Sequence, residues 1–188
     1  MAPVPLKEII IFSSEDSRFP AQNIIKGNKW MTNVKDNTGK AVIEIQLEKA
    51  SQIHYIDIGY CNVASLGVTV GRSSWPSSRQ HVVLLATVIL QTPLEARAGK
   101  NKTGCRMFNY PEHLNSEYAN EKWDRVRINL QQPFVRNKQI GLEFVRIGSA
   151  RNISGSAQSS PSPAQTAIQG SWKNSAIAKL ADASNIRR

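Results

Sequence analysis

The sequence predicts an all-β fold, an antiparallel β-sandwich with two short helices. Three observations predict it. Seven short runs alternate or concentrate apolar residues with the period of a strand, and turn-forming residues separate them. Helical patterns are few and short. Strands and helices do not alternate, so a βαβ repeat is excluded, and each strand must bury one face against a second sheet.

Residues 7–12 form the first short apolar run. Residues 20–26 follow as two turns of helix, with Pro20 near the first position and Gly27 behind the last. Residues 42–47 alternate, with Val42, Glu44 and Gln46 on one face and Ile43, Ile45 and Leu47 on the other. Residues 52–58 read as the next strand, and 65–70 as another, ended by Gly71. Residues 82–90 are apolar and rich in β-branched side chains. The second helix is expected within residues 111–123. Residues 125–130 set Arg125, Arg127 and Asn129 against Val126, Ile128 and Leu130, and residues 140–147 alternate similarly.

The composition breaks near position 149. Residues 1–149 are expected to form the domain and 150–188 a flexible extension. That stretch is rich in Ser and Ala, carries Pro161 and Pro163, and holds a single acid, Asp182, so it cannot bury enough apolar surface to offset its ordering. Two Ser-Pro pairs, Ser160-Pro161 and Ser162-Pro163, suit proline-directed kinases.

The chain of 188 residues carries 24 basic and 14 acidic side chains, a net charge of +10, which favours a polyanionic partner. Two cysteines exclude a disulfide-stapled scaffold and a thiolate metal cluster. Free thiols are expected at Cys61 and Cys105, with the pKa of Cys105 lowered somewhat by the adjacent Arg106. No run of 18 apolar residues occurs, so no membrane span is expected. No basic start followed by an apolar run marks a secretory signal, which suggests a reduced intracellular compartment.

Enzyme signatures are absent: there is no glycine-rich phosphate loop after a strand, no HExxH, no GxSxG and no CxxC. The chain is therefore read as non-enzymatic, without cofactor or metal. Residues 97–106 are the strongest charge feature, with Arg97, Lys100, Lys102 and Arg106 and no acid. Gly99 and Gly104 make this stretch a loop. A mobile basic loop of this kind either follows a phosphate backbone or is simply solvated. Arg125 and Arg127 share a strand face as further candidates for phosphate contact. His54 reads as a half-buried strand histidine. Trp30 and Trp123 read as anchors of the core or sheet edge. Trp75 lies between Arg72 and Arg79 in a loop, where an exposed indole would mark a contact surface.

Several stretches carry a family resemblance when taken in order: Ser13-Ser-Glu-Asp-Ser17, Ala21-Gln-Asn-Ile-Ile25, Gln52-Ile-His-Tyr-Ile-Asp-Ile-Gly59, Arg106-Met-Phe108, Glu121-Lys-Trp-Asp-Arg-Val-Arg127, Gln132-Pro-Phe134 and Gly141-Leu-Glu-Phe-Val-Arg146. Over about residues 5–149 the chain resembles the N-terminal domain of the X-ray repair cross-complementing scaffold of single-strand DNA break repair. The resemblance implies a sandwich of the galactose-binding, jelly-roll-like type. It implies a nuclear, non-catalytic domain that binds nicked or gapped DNA and docks onto DNA polymerase beta.

The family's polymerase contact uses apolar side chains on neighbouring strands of one sheet, and maps here to Ser65, Leu66, Val82, Val83, Leu84 and Leu85. The family tends to have a phenylalanine beside the position of Ser65, and this chain has no aromatic there. The cysteine pair that can form a disulfide in the family falls on Phe12 and Pro20. The family's full scaffold carries further phosphopeptide-binding domains. Their absence from these 188 residues makes a stand-alone relative or a short isoform the expectation, monomeric when alone.

The resulting expectation is a non-catalytic module of single-strand break repair, binding broken DNA through phosphates and docking a repair polymerase. The alternative is a partner-docking module without DNA binding. A glycan-binding sandwich is the third reading, because the fold hosts many functions.

Overall fold

The computed structural model describes residues 2–150. Ten strands form in chain order: β1 (Ala2–Pro3), β2 (Leu6–Phe12), β3 (Trp30–Met31), β4 (Lys40–Ser51), β5 (Tyr55–Cys61), β6 (Ser65–Gly71), β7 (Val82–Ile89), β8 (Thr103–Asn109), β9 (Trp123–Gln131) and β10 (Gly141–Ser149). A 3-10 helix spans Ala21–Lys26, and two α-helices follow, α1 (Pro93–Ala98) and α2 (Ser116–Ala119). The strands pair antiparallel in two five-stranded sheets. The first has the order β1-β10-β5-β8, with β3 also on β10, and the second has the order β2-β4-β9-β6-β7.

Period-2 alternation produces the core. Ile43, Ile45 and Leu47 of β4, Val126, Ile128 and Leu130 of β9, and Leu66, Val68 and Val70 of β6 are all buried. They belong to one apolar cluster with Ile56, Ile58, Leu142, Val145 and Ile147 of the first sheet. Each such side chain contributes about 1.5–3 kcal/mol of transfer free energy. Trp30 and Trp123 are fully buried anchors. The alternate residues of β4 and β9, Glu44, Arg125 and Arg127, therefore lie on the outer face of the second sheet.

The chain departs from the expected elements at four places. The strand expected at 52–58 begins at Tyr55 and runs on to Cys61. Register with β8 and β10 covers those residues, whereas Gln52 donates its side-chain amide to Asn120 O at 2.7 Å. His54 lies just before β5, half-buried, its Nδ1 accepting from the Ala150 N–H at 3.1 Å. The helix expected in 111–123 shrinks to α2. Asn115 caps it, and Trp123 already belongs to β9, its indole N–H bonded to Tyr118 O.

Residues 97–106 do not form a loop. Arg97 is in α1, and Thr103 onwards is β8, with Gly104 inside the strand. A capping box explains α1: Thr92 and Glu95 exchange hydrogen bonds, Pro93 takes the first helical position, and Gly99 ends the helix at φ 66°. The expected extension at 150–188 lies, beyond Ala150, outside the described residues.

Candidate functional site

Four of the six cations expected to meet phosphate cluster where α1 turns into β8. Arg97, Lys100, Lys102 and Arg106 are all exposed. Their backbone is held while their side chains are free. The Lys100 carbonyl accepts from the Gln91 side chain, and the Lys102 carbonyl from Asn62 N–H. Asn101 takes the left-handed conformation between them, its amide bonded to Glu95 at 2.7 Å. Among the described residues, none of the four cations enters an ion pair. Arg106 sits on β8, an edge strand of the first sheet.

Arg125 and Arg127 do not join that cluster. They stand at the centre of the second sheet, where Glu44 of β4 is the direct cross-strand partner of Arg127. Both guanidiniums close on this buried carboxylate: Arg127 Nη2 lies 2.6 Å from Oε2, and Arg125 Nη1 lies 3.3 Å from Oε1. His81 Nε2 is 3.7 Å from the same carboxylate. Burial first, and Arg127 next, hold the His81 pKa below the usual imidazole range against the opposing pull of Glu44. His81 packs against Gly71, where a Cβ would fall 2.8 Å from the ring. Glycine at 71 is what lets the ring approach.

The loop from Arg72 to His81 folds back over this outer face and encloses a groove of about 710 Å³. Arg125 and Arg127 line its β9 side, and Ile10 and Ile11 of the edge strand β2 line another. Trp75 is half-buried and packs edge-on against Trp123 at 5.7 Å. Arg79 stacks on the Trp75 ring at 3.8 Å, and Arg72 lies 4.8 Å over Trp123. Arg72 also pairs with Glu121, and Ser73 N–H donates to Asp124 at 2.7 Å. Trp75 thus supports arginines instead of presenting a bare indole face.

The expected docking residues divide between core and surface. Leu66, Leu84 and Leu85 are buried and unavailable to a partner. Leu66 faces inward by alternation. Leu84 is a bulge residue: Val68 pairs with Leu85 and Thr69 with Val83, so two adjacent leucines are both buried. Ser65 and Val82 are half-buried, and Val83 is 49 % exposed. Ile89, directly opposite Ser65, is 73 % exposed, and Leu94 on α1 is 77 % exposed. Neither is singled out by the sequence: the bulges in β7 change which of its side chains face outward, and Leu94 lies on α1, a helix the periodicity did not predict.

The family model described as the XRCC1 N terminal domain matches residues 1–147. The chain belongs to that family. Human DNA repair protein XRCC1 is 36% identical over 152 residues, covering 79% of this chain, and the rat protein is 34% identical over 154 residues. The chain spans 24% of each of these relatives. The crystal structure of reduced XRCC1 bound to the DNA pol beta catalytic domain superposes with a TM-score of 0.74 at 36% identity, over 79% of this chain and 99% of that one. The solution structure of the XRCC1 N-terminal domain gives 0.71 over the same 79% and 100% of its own chain. A chitosan-binding module from Paenibacillus sp., 12% identical, gives 0.52 over 74% of this chain and 92% of that one, and shares the fold alone. The sandwich is of the expected galactose-binding, jelly-roll-like type.

Within this XRCC1-type domain, Phe12 is exposed at the end of β2 and Pro20 precedes the 3-10 helix. Cys61 and Cys105 are both free. The expected lowering of the Cys105 pKa by Arg106 is overturned. Burial, and a 2.7 Å hydrogen bond from Sγ to Asp57, push it up to about 11. Arg106 is the neighbour in sequence, but alternation sends its side chain to the other face of β8. No group of three or more His, Cys, Asp or Glu side chains among the described residues is placed to hold a metal.

Proposed function

We propose that this chain is a non-catalytic module of single-strand DNA break repair that binds nicked or gapped DNA through phosphate contacts and docks a repair polymerase, acting in the nucleus. The observation that carries this reading is the family match across the whole sandwich, together with superposition on a relative solved with the DNA pol beta catalytic domain. Arg97, Lys100, Lys102 and Arg106 supply the phosphate contacts. They carry charge that no acid cancels, on a backbone fixed by hydrogen bonds. Contacts of this kind give affinity without reading bases, and recognition of a break then comes from duplex shape and bendability.

The polymerase docks on the β6–β7 edge of the second sheet. Val83, Ile89 and Leu94 offer apolar surface there, with Ser65 and Val82 beside them. Ile89, across the ladder from Ser65, takes over part of the area that an aromatic residue provides in the family. The rival reading, docking without DNA binding, draws support from the engagement of both Arg125 and Arg127 with Glu44.

Titration with nicked, gapped and intact duplex DNA at two salt concentrations tests the reading. The expected result is preference for broken duplex that weakens with salt. The double variant Lys100→Glu, Lys102→Glu is expected to weaken binding at least tenfold and to reduce the salt slope by about two. Equal, weak binding to all three duplexes would favour the docking-only reading.

A further inference from the structure

The groove under the Arg72–His81 loop is built differently from the exposed cluster at the α1–β8 turn. Its walls carry Arg79, Arg125 and Arg127 with His81, and Glu44 is the one acid among the residues lining it. Glu44 is shared by Arg125, Arg127 and His81, so the groove keeps an excess of positive charge. Arg79 forms no ion pair among the described residues. Its stacking on Trp75 fixes the guanidinium plane and leaves the N–H groups at its rim to donate. His81 Nε2 and Arg125 Nε are buried without a hydrogen-bond partner. The β2 side is the opposite in character: Ile10 and Ile11 are exposed apolar side chains on an edge strand.

We propose that this groove binds an unpaired nucleotide of a DNA strand, its phosphate held by Arg79 and its base laid against Ile10 and Ile11. The proposal rests on the nucleic-acid reading above and adds to it a second site of different chemistry. The planar guanidinium of Arg79 matches the oxygen geometry of a phosphate, and with no acid partner among the described residues it is free for a bidentate contact, whereas Arg127 commits Nε and Nη2 to Glu44. A volume of about 710 Å³ lies in the range of ordinary small-ligand pockets, which suits one or two nucleotides and cannot enclose a duplex. Alternation of a cationic wall with an apolar one repeats the alternation of phosphate and base along a single strand. A phosphoserine or phosphothreonine peptide offers the phosphate without a flat apolar group beside it.

The test uses the intact 188-residue protein and follows the fluorescence of Trp75 and Trp123, which sit in the arginine stack. The ligands are a 5′-phosphorylated thymidine trinucleotide, inorganic phosphate and a phosphoserine peptide. The trinucleotide is expected to bind most tightly of the three. Arg79→Gln is expected to weaken it about tenfold, the loss of a charge-assisted hydrogen bond. Arg79 is exposed, so this variant keeps its fold, which an unchanged melting temperature verifies. Ile11→Ser is expected to weaken the trinucleotide several-fold without altering the response to inorganic phosphate.

Equal affinity of the wild type and Arg79→Gln for the trinucleotide overturns the proposal. So does a phosphopeptide that binds more tightly, or inorganic phosphate that binds as well. Nicked-duplex binding, measured in parallel, separates the two sites. If the duplex binds and the trinucleotide does not, the groove assignment alone fails. If the trinucleotide binds through Arg79 and the duplex does not distinguish breaks, the break-binding reading fails and the groove stands.

Discussion

At the α1–β8 turn, Arg97, Lys100, Lys102 and Arg106 extend from a hydrogen-bonded backbone and enter no ion pair among the described residues. At the centre of β9, Arg125 and Arg127 close on the buried carboxylate of Glu44. Along the chain both groups read as candidate phosphate contacts, Arg125 and Arg127 on one strand face and the other four in a stretch without acids. They differ because a strand's electrostatic neighbours lie across the ladder, 80 residues away in sequence, and not beside it in the chain. The turn holds available charge, whereas β9 holds charge already spent on an internal network that shapes the groove above it.

The sharpest way to break this comparison is Glu44→Gln. Removing the carboxylate leaves two arginines and His81 crowded without a counter-charge. Breaking a buried pair costs several kcal/mol; the partial exposure of the guanidiniums, 23% and 34% for Arg125 and Arg127, reduces this to about 2 kcal/mol. Urea unfolding is expected to show that loss. The Lys100→Glu, Lys102→Glu variant is expected to stay within about 0.5 kcal/mol of wild type, as exposed substitutions do. Equal stability of the two variants would mean that β9 is no more engaged than the turn.

The docking edge extends the comparison to apolar groups. Ile89→Asp places a charge on the exposed ladder opposite Ser65. It is expected to weaken polymerase capture about tenfold or more while changing stability little, because the native side chain is largely in water. Surface plasmon resonance with the polymerase catalytic domain measures the first, and thermal melting the second. Undiminished capture would move the docking face off the β6–β7 edge.

Alternation made most of the sandwich readable: β4 and β9 declare their buried faces residue by residue, and the 3-10 helix is announced by Pro20 and Gly27. The helix α1 carried a signal that went unused, Thr92-Pro-Leu-Glu95 followed by Gly99. β8 was hidden because its basic and glycine residues resemble a loop. As an edge strand, it needs few apolar side chains. The core positions of Leu84 and Leu85 depend on a bulge, which no period reveals. The groove was equally out of reach, since Ile10, Glu44, Arg79 and Arg127 meet only through pairing. Trp75 between two arginines was a partial clue, and the structure turned it from a contact face into a support.

Asp16 is a further engaged acid, and it offers a pH test. Hydrogen bonds from the Arg18 guanidinium and Arg18 N–H, and then from Gln139, hold its carboxyl well below the usual carboxylate range. A folded-state pKa below the unfolded value contributes stability that is fully present above the unfolded pKa and is lost progressively as pH falls from there through the folded-state pKa. Asp16→Asn is therefore expected to lower stability at neutral pH. Its melting temperature is expected to converge with that of wild type as acid protonates the carboxylate. A gap that stays constant with pH would show that the contacts at Asp16 are steric and not ionic.

The smallest expected effect applies the same lesson to a single thiol. Cys105 is exposed and directly precedes Arg106, a neighbour that in sequence suggests a somewhat lowered pKa. Its cross-strand surroundings decide otherwise: partial desolvation of the thiol against β5, its hydrogen bond to Asp57 and the charge of that carboxylate push the pKa up to about 11. At pH 8 only about one thiol in a thousand is then ionised, so alkylation by iodoacetamide is expected to be slow and to accelerate steadily with pH. Asp57→Asn removes the negative charge that stabilises the protonated thiol, and is expected to shift the pH–rate profile of Cys105 towards lower pH. A profile unmoved by this substitution would assign the raised pKa to burial alone. A fast wild-type reaction at pH 8 would restore control to the sequence neighbour, Arg106.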